Sequence, residues 1–310
     1  MIVVTGGSGY VGSHIARRLA ETGRPVRALV RSRARMEKEG RLAGLPVEIV
    51  EGDVTKPETL GPAFQGATAV IHTVAIAIEK GGLKYEEVNY QGTIHVVEAA
   101  KAAGVRRFVN QSQYGADSSL PYRFLASKGK AQEYVAASGL DWTAFRPSVI
   151  FGPEDEFANT FARLAPLTPL IFPIVGQATF QPVWVEDVVT CLVKSLDDPA
   201  TIGQEYELGG PEALTLEEIE RRTLKALGAR RWLIPFPLPL TRLAVTIMET
   251  VLPAPPVTRS LLELLAVSNV PKDNALGRFV PNPVPLVPDV VGPYMRQFRV
   301  GQTIAQFLGR

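Results

Sequence analysis

Gly6, Gly9 and Gly12 stand three residues apart in "TGGSGYVG", after a short β-branched run and at the start of a helical pattern. That spacing suits phosphate chemistry. Lacking Cβ atoms, the turn stays tight, its backbone N–H groups approach a pyrophosphate, and the helix packs close to the strand. Tyr10 and Val11 belong to the same cradle, where the helix N-terminus adds partial positive charge. A dinucleotide is the ligand this pattern predicts. About twenty residues further on, an NAD site carries Asp or Glu for the ribose hydroxyls, whereas "VRSRAR" offers Arg31, Ser32 and Arg33. A carboxylate would repel a 2′-phosphate that these groups can neutralise, so NADP(H) is expected over NAD(H). The competing explanation is a solvated basic turn, since residues 24–41 hold seven basic side chains against two acidic ones.

Other chemistries find less support. His14, His72 and His95 are scattered without helix-spaced partners, so no metal site is expected. Cys191 is the only cysteine, which excludes an internal disulfide framework and fits a reducing, cytoplasmic setting. A formal net charge of +2 argues against nucleic acid as a main ligand. No apolar run is long enough to span a membrane, and "MIVVTGG" has no charged leader before its first strand.

The elements that must position these groups alternate. Strand-like runs at 2–5, 25–30, 47–50, 69–74, 107–112 and 142–147 are separated by helical stretches, which predicts βαβ units and a doubly wound parallel α/β sheet. In 13–23, Ile15, Ala16, Leu19 and Ala20 share one helical face and Gly23 ends it. The rhythm breaks after residue 150 and returns with a helix at 183–196 and a strand at 205–210. Twelve of 25 prolines fall between 232 and 293, too many for a regular sheet. The expected organisation is a dinucleotide-binding domain over 1–150 with a return segment at about 180–210. A smaller, mostly helical domain takes 151–180 and 211–310.

With "EGDVTKPETL", "HTVA" at 72–75, "VNYQGT" at 88–93 and "FRPSVIFGP" at 145–153 added to the glycine turn, the chain resembles the extended and atypical short-chain dehydrogenase/reductases over at least residues 1–210. Within them, "RPSVIFGPEDEFANTFARL", "VWVEDV" and "WLIPFPLPLTRL" are similar to the branch of the nucleotide-binding accessory subunit of respiratory complex I. The resemblance implies that Asp53 and Val54 border the adenine and that Thr73, Val74 and Ala75 run along the cofactor. It likewise implies that Asn89 lies on the flanking helix and that Pro147 is a cofactor-site residue.

Active members of this superfamily carry a proton-exchanging Tyr four residues before a Lys. Here "RFLASK" places Phe124 four before Lys128, and a phenyl ring has no exchangeable proton. Lys128 is expected to keep a ribose contact. Tyr114, in a loop, is the candidate substitute donor, while Ser112 and Gln113 compete for the polar position on the substrate side. The leading expectation is a cofactor-holding or structural factor, within a redox complex. The alternatives are a reductase or epimerase/dehydratase using Tyr114 or a water, and a regulator that senses NADPH.

In 240–252, Leu240, Leu243, Ala244, Ile247, Met248, Val251 and Leu252 form a helical stripe opposite Arg242, Glu249 and Thr250. The stripe is expected to close over the cofactor cleft. The alternative, which the resemblance implies, is docking through 240–267 on a partner protein or at a membrane periphery, and the scarcity of cations on the helix itself favours the protein. Residues 279–295 are expected as an extended strap or a mobile segment, and 299–308 as a short closing helix.

Overall fold

The computed structural model describes residues 1–165, 170–171, 178–233, 238–251, 262, 264–265 and 267–296. The chain divides into two units, each built from several segments. The first comprises Met1–Pro147, Val185–Leu208 and Asp273–Pro281; the second comprises Ser148–Trp184, Gly209–Lys272 and Asn282–Arg310. The excursion of 273–281 into the first unit has no counterpart in the sequence reading.

The first unit is a seven-stranded, all-parallel sheet: β1 (Ile2–Thr5), β2 (Val26–Val30), β3 (Val47–Glu51), β4 (Ala69–His72), β5 (Arg107–Gln111), β6 (Asp141–Pro147) and β7 (Gln204–Leu208). Their order is β7-β6-β5-β4-β1-β2-β3. Strand order reverses on either side of β1, so the crevice at its carboxyl end is where a doubly wound sheet takes a ligand. The doubly wound parallel sheet is therefore as the alternation of elements predicts. β1 is wholly buried, as a central parallel strand covered on both faces must be. Thr5 is in register with Leu29 on one side and His72 on the other.

Helix α1 (Tyr10–Glu21) buries Ile15, Ala16 and Leu19, the face its period marks, and ends at Gly23, whose φ of 72° only glycine adopts at little cost. Helix α2 (Arg33–Glu39) begins at the Ser32 cap, whose hydroxyl accepts from the Arg35 N–H at 3.3 Å. A π-helical turn over Glu86–Gln91 leads into α3 (Gly92–Ala102), and α4 (Arg123–Ala137) follows β5.

Among its described residues the second unit has more helix than strand, and short strands pair within it, Ile150–Phe151 with Val183–Trp184 and Thr179–Phe180 with Leu214–Thr215. Helix α5 (Ala158–Leu164) belongs to it, whereas α6 (Val185–Ser195) returns to the first unit. Helix α7 (Leu216–Leu227) starts with a reciprocal capping box between Thr215 and Glu218. Helix α8 spans Leu238–Val251 and α9 spans Pro288–Met295. Phe151, Phe180, Ile219, Val291 and Met295 form this unit's apolar centre. The strap expected over 279–295 is thus helical in its second half. Pro288 lies in the first turn, where a missing N–H removes no helical bond. The closing helix expected at 299–308 lies outside the described residues.

Candidate functional site

The glycine turn is shaped by contacts that no larger residue could share. Gly6 has φ 72°, and a Cβ there would come within 3.0 Å of Thr73 Oγ1 and 3.2 Å of Val74 Cγ2. A Cβ on Gly12 would overlap the Gly6 carbonyl, and one on Gly7 would meet Ala28 Cβ at 2.5 Å. Residues 73 and 74 therefore wall the turn, while Ala75 is exposed beyond them. Thr73 Oγ1 donates to the Thr5 carbonyl at 2.7 Å, tying that wall to the end of β1. Gly9, the helix cap, donates to Gly6 O at 2.8 Å; the first-turn N–H groups of Val11 and Gly12 then lie ahead of any intrahelical partner.

At the end of β2 the three sequence candidates part company. Arg31 is exposed and, among the described residues, its guanidinium has no partner. Arg33 is engaged by β3, its N–H donating to Glu51 Oε2 at 3.0 Å and its guanidinium to Ile49 O at 2.7 Å. Ser32 uses a lone pair as the α2 cap but keeps its hydroxyl hydrogen. A third cation arrives unannounced: Arg41 Nη1 donates to Ser8 O, inside the glycine turn, at 3.0 Å. The pair is 33 residues apart in sequence, and no local pattern signals it.

Beyond β3, Asp53 Oδ1 accepts from both the N–H (2.9 Å) and hydroxyl (2.8 Å) of Thr55, which fixes the carboxylate and the start of the next turn. Val54 is buried against Gly92, where a Cβ would meet Val54 Cγ2 at 2.7 Å. His95 contacts Val54 O at 2.7 Å and His14 contacts Glu186 Oε1 at 2.5 Å. The third histidine sits in the sheet. Thr93 donates its one hydroxyl hydrogen to Asn89 O (2.7 Å), so it accepts from His72 Nε2 (3.0 Å) and leaves Nδ1 to accept from Thr5 Oγ1 (2.7 Å). Burial, with the nearby Lys128 charge, holds His72 down to about 3, so it is a neutral strut.

Asn89 joins three segments. Its Oδ1 accepts from Ile76 N (2.8 Å), and its Nδ2 donates to Ile76 O (3.2 Å) and Ser127 Oγ (3.1 Å). It lies in the π-helical turn, which re-aims the side chain that a regular helix would place elsewhere. On α4, Lys128 is 4% exposed and its Nζ donates to Gln111 O at 2.9 Å, at the end of β5; burial lowers its pKa to about 8. Ser112 follows directly, 3% exposed, and its Oγ has no partner among the described residues. Gln113 is half-buried.

One turn before Lys128, the Phe124 ring meets Tyr85 edge-on, centroids 5.7 Å apart. Tyr85 is a phenol the sequence reading passed over. Its hydroxyl donates to Ala77 O at 2.9 Å. Tyr114 is anchored through its backbone, its N–H donating to Pro147 O at 2.9 Å, and the charges that act on its phenol are those of Glu207 and Arg146. Burial first, and Glu207 second, raise its pKa above the ordinary phenol value, so it is a weaker acid than a free tyrosine.

A cradle of N–H groups, an unpaired cation near it and a buried lysine at the fifth strand are the parts of a dinucleotide site. The sequence profile of an NAD(P)H-binding family matches residues 6–166, over half of the chain. The chain belongs to this NAD(P)H-binding family of atypical short-chain dehydrogenase/reductases. It is 27% identical over 293 residues to the mitochondrial NADH dehydrogenase [ubiquinone] 1 alpha subcomplex subunit 9 of Arabidopsis thaliana, covering 88% of this chain and 71% of that protein. It is 30% identical over 240 residues to the ceramide reductase of Caulobacter vibrioides, covering 77% and 74%. A nucleoside-diphosphate-sugar epimerase from Staphylococcus aureus shares the fold, with a TM-score of 0.72 at 19% identity over 96% of this chain and 99% of that one. As a member of the family, the chain binds a nicotinamide dinucleotide.

Proposed function

We propose that the protein holds NADP(H) without turning over a carbonyl substrate by the tyrosine route, as a cofactor-bearing or structural factor. The observation that carries this reading is Phe124. At the position one helical turn before the buried Lys128 stands a ring with no proton to exchange, packed against a tyrosine whose own hydroxyl is committed to Ala77 O. Tyr114 is a poor substitute on this reading: burial first and Glu207 second raise its pKa, Arg146 only partly offsets them, and Lys128 is not among the charges that act on it.

The residues fit the cofactor. The Cβ-free turn leaves first-turn N–H groups for a pyrophosphate, Arg31 with the adjacent Ser32 suits a 2′-phosphate, and Arg41 brings a further positive charge to the glycine turn. Asp53 and Val54 would border the adenine and Lys128 the ribose. When bound, the nicotinamide can supply a hydride; the protein's residues supply binding and orientation. Similarity to the complex I subunit supports a role inside a larger assembly.

A second reading is a reductase, favoured by the buried Ser112 hydroxyl that lacks a partner and by the likeness to ceramide reductase. Its proton would have to come from a group other than residue 124. Native mass spectrometry of freshly purified protein tests the first reading. Retained NADP(H) is expected; protein that carries no dinucleotide and takes none up would overturn it.

A further inference from the structure

Seven described large apolar side chains are exposed, and five of them lie between Trp232 and Val251. Trp232 is 76% exposed, and Leu240, Leu243, Ile247 and Val251 range from 49% to 71%. At about 100° per residue the four aliphatic groups fall within roughly 80° of arc on α8. The other side of that helix faces the protein: Val245 is buried, and Thr241, Thr246, Met248 and Glu249 are half-buried. The stripe expected to close over the cleft therefore turns its apolar side to solvent. Period alone reports that a helix is two-faced and not which face is covered.

The neighbouring chain is one-sided in charge. From Arg221 to Met248 there are six Lys or Arg residues and no Asp or Glu. Arg221, Arg230 and Arg231 line a shallow hollow with Trp232 and Leu233. Arg221 pairs with Glu217 and Arg222 with Glu212, both at 2.6 Å, and Arg231 is held by Ala165 O at 2.8 Å, but Arg230 and Lys225 are exposed and carry no ion pair among the described residues. A second copy of this chain would bring like charges together across a two-fold axis, which disfavours self-association. No described helix is long and apolar enough to cross a membrane, so the surface is one that lies on its partner. Cations for phosphates, an indole for the headgroup layer and an aliphatic stripe for the acyl boundary are the three groups an interfacial segment combines. The sequence reading favoured a protein because α8 itself has few cations; they come from the segment before it.

We propose that Trp232 and the Leu240, Leu243, Ile247 and Val251 stripe, with Arg230 and its basic neighbours, dock this protein on an anionic lipid bilayer. The inference is independent of the catalytic reading. Flotation of the full chain with vesicles of mixed phosphatidylcholine and phosphatidylglycerol tests it. The protein is expected to float with mixed vesicles and not with phosphatidylcholine alone. Ile247→Asp should lower the bound fraction about tenfold, and Arg230→Glu by about fivefold or more. Both positions are exposed, so nucleotide binding should be unchanged. Trp232 emission should shift to the blue on mixed vesicles, a change absent in Trp232→Phe; Trp142 and Trp184 are already half-buried. Absence of flotation, flotation indifferent to Ile247→Asp, or a concentration-dependent dimer that Ile247→Asp abolishes would each overturn the proposal, the last by assigning the face to a second copy.

Discussion

The glycine turn and the foot of α4 lie in the same unit and show opposite kinds of constraint. In the turn, almost every atom that a side chain could occupy is already taken, by the Gly6 carbonyl, Thr73 Oγ1 or Ala28 Cβ. At the foot of α4, Lys128 is fixed by Gln111 O, yet Ser112 Oγ is buried without a partner and residue 124 brings only a phenyl edge. One region is held by sterics to a single shape that suits a phosphate. The other keeps its scaffold, with a residue one turn before Lys128 that has no proton to exchange. Under the proposed function, binding and the tyrosine route of turnover are separable, and the chain keeps the former.

The largest effect should come from filling the turn. Gly12→Val forces a side chain into the Gly6 carbonyl and should cost at least about a hundredfold in dinucleotide affinity, with overpacking of about 1–3 kcal/mol lowering the melting temperature; titration calorimetry and thermal melts read both. An unchanged affinity would mean that the turn is not the cradle. Next, Arg31→Asp removes the one guanidinium of the three candidates left unpartnered and places a repelling carboxylate there. NADPH affinity should fall roughly 10- to 100-fold, the range of a lost charge-assisted hydrogen bond, while NADH changes little. Parallel losses for the two would remove the 2′-phosphate argument.

Smaller effects follow from the buried charges. Lys128 has a folded pKa of about 8, below the ordinary lysine value of 10.5, so burying the ammonium costs stability in full below pH 8 and the cost fades as pH rises towards 10.5. Lys128→Met should therefore weaken dinucleotide binding about tenfold, at the scale of a lost hydrogen bond to a charged group. It should also raise the melting temperature of the ligand-free protein most at neutral pH. In the second unit, burial raises Glu220 from 4.5 to about 8. Its neutral form makes a contribution to stability that is complete below pH 4.5 and lost as pH climbs to 8. Glu220→Gln should flatten the melting temperature across that window and leave dinucleotide affinity unaltered, confining the pH dependence to the unit without the glycine turn.

Much of this was legible in the chain because the determining contacts are local. The glycine spacing with its pre-turn strand lies within the first strand-turn-helix unit, the four-residue step from Phe124 to Lys128 lies within one helix, and the strand alternation carries the sheet. Arg41 on Ser8 O, Tyr85 beside Phe124 and Asn89 bridging Ile76 to Ser127 join segments that only the folded sheet brings together. Arg33 looked equivalent to Arg31 in sequence, but β3 captures it through Ile49 and Glu51. Proline density was misleading at 279–295, because Pro288 occupies a helical position that tolerates it. The apolar stripe on α8 had a readable period and an unreadable direction.

The central claim is tested most directly by loading the protein with NADPH, offering a panel of aldehydes and ketones, and following the absorbance of the reduced nicotinamide for the parent and for Phe124→Tyr. The parent is predicted to hold its NADPH without oxidising it, and the variant to gain turnover by about 10²- to 10⁴-fold over that background, the usual contribution of a placed general acid. A parent that oxidises NADPH against any of these carbonyls, at a rate the restored hydroxyl does not improve, would contradict it.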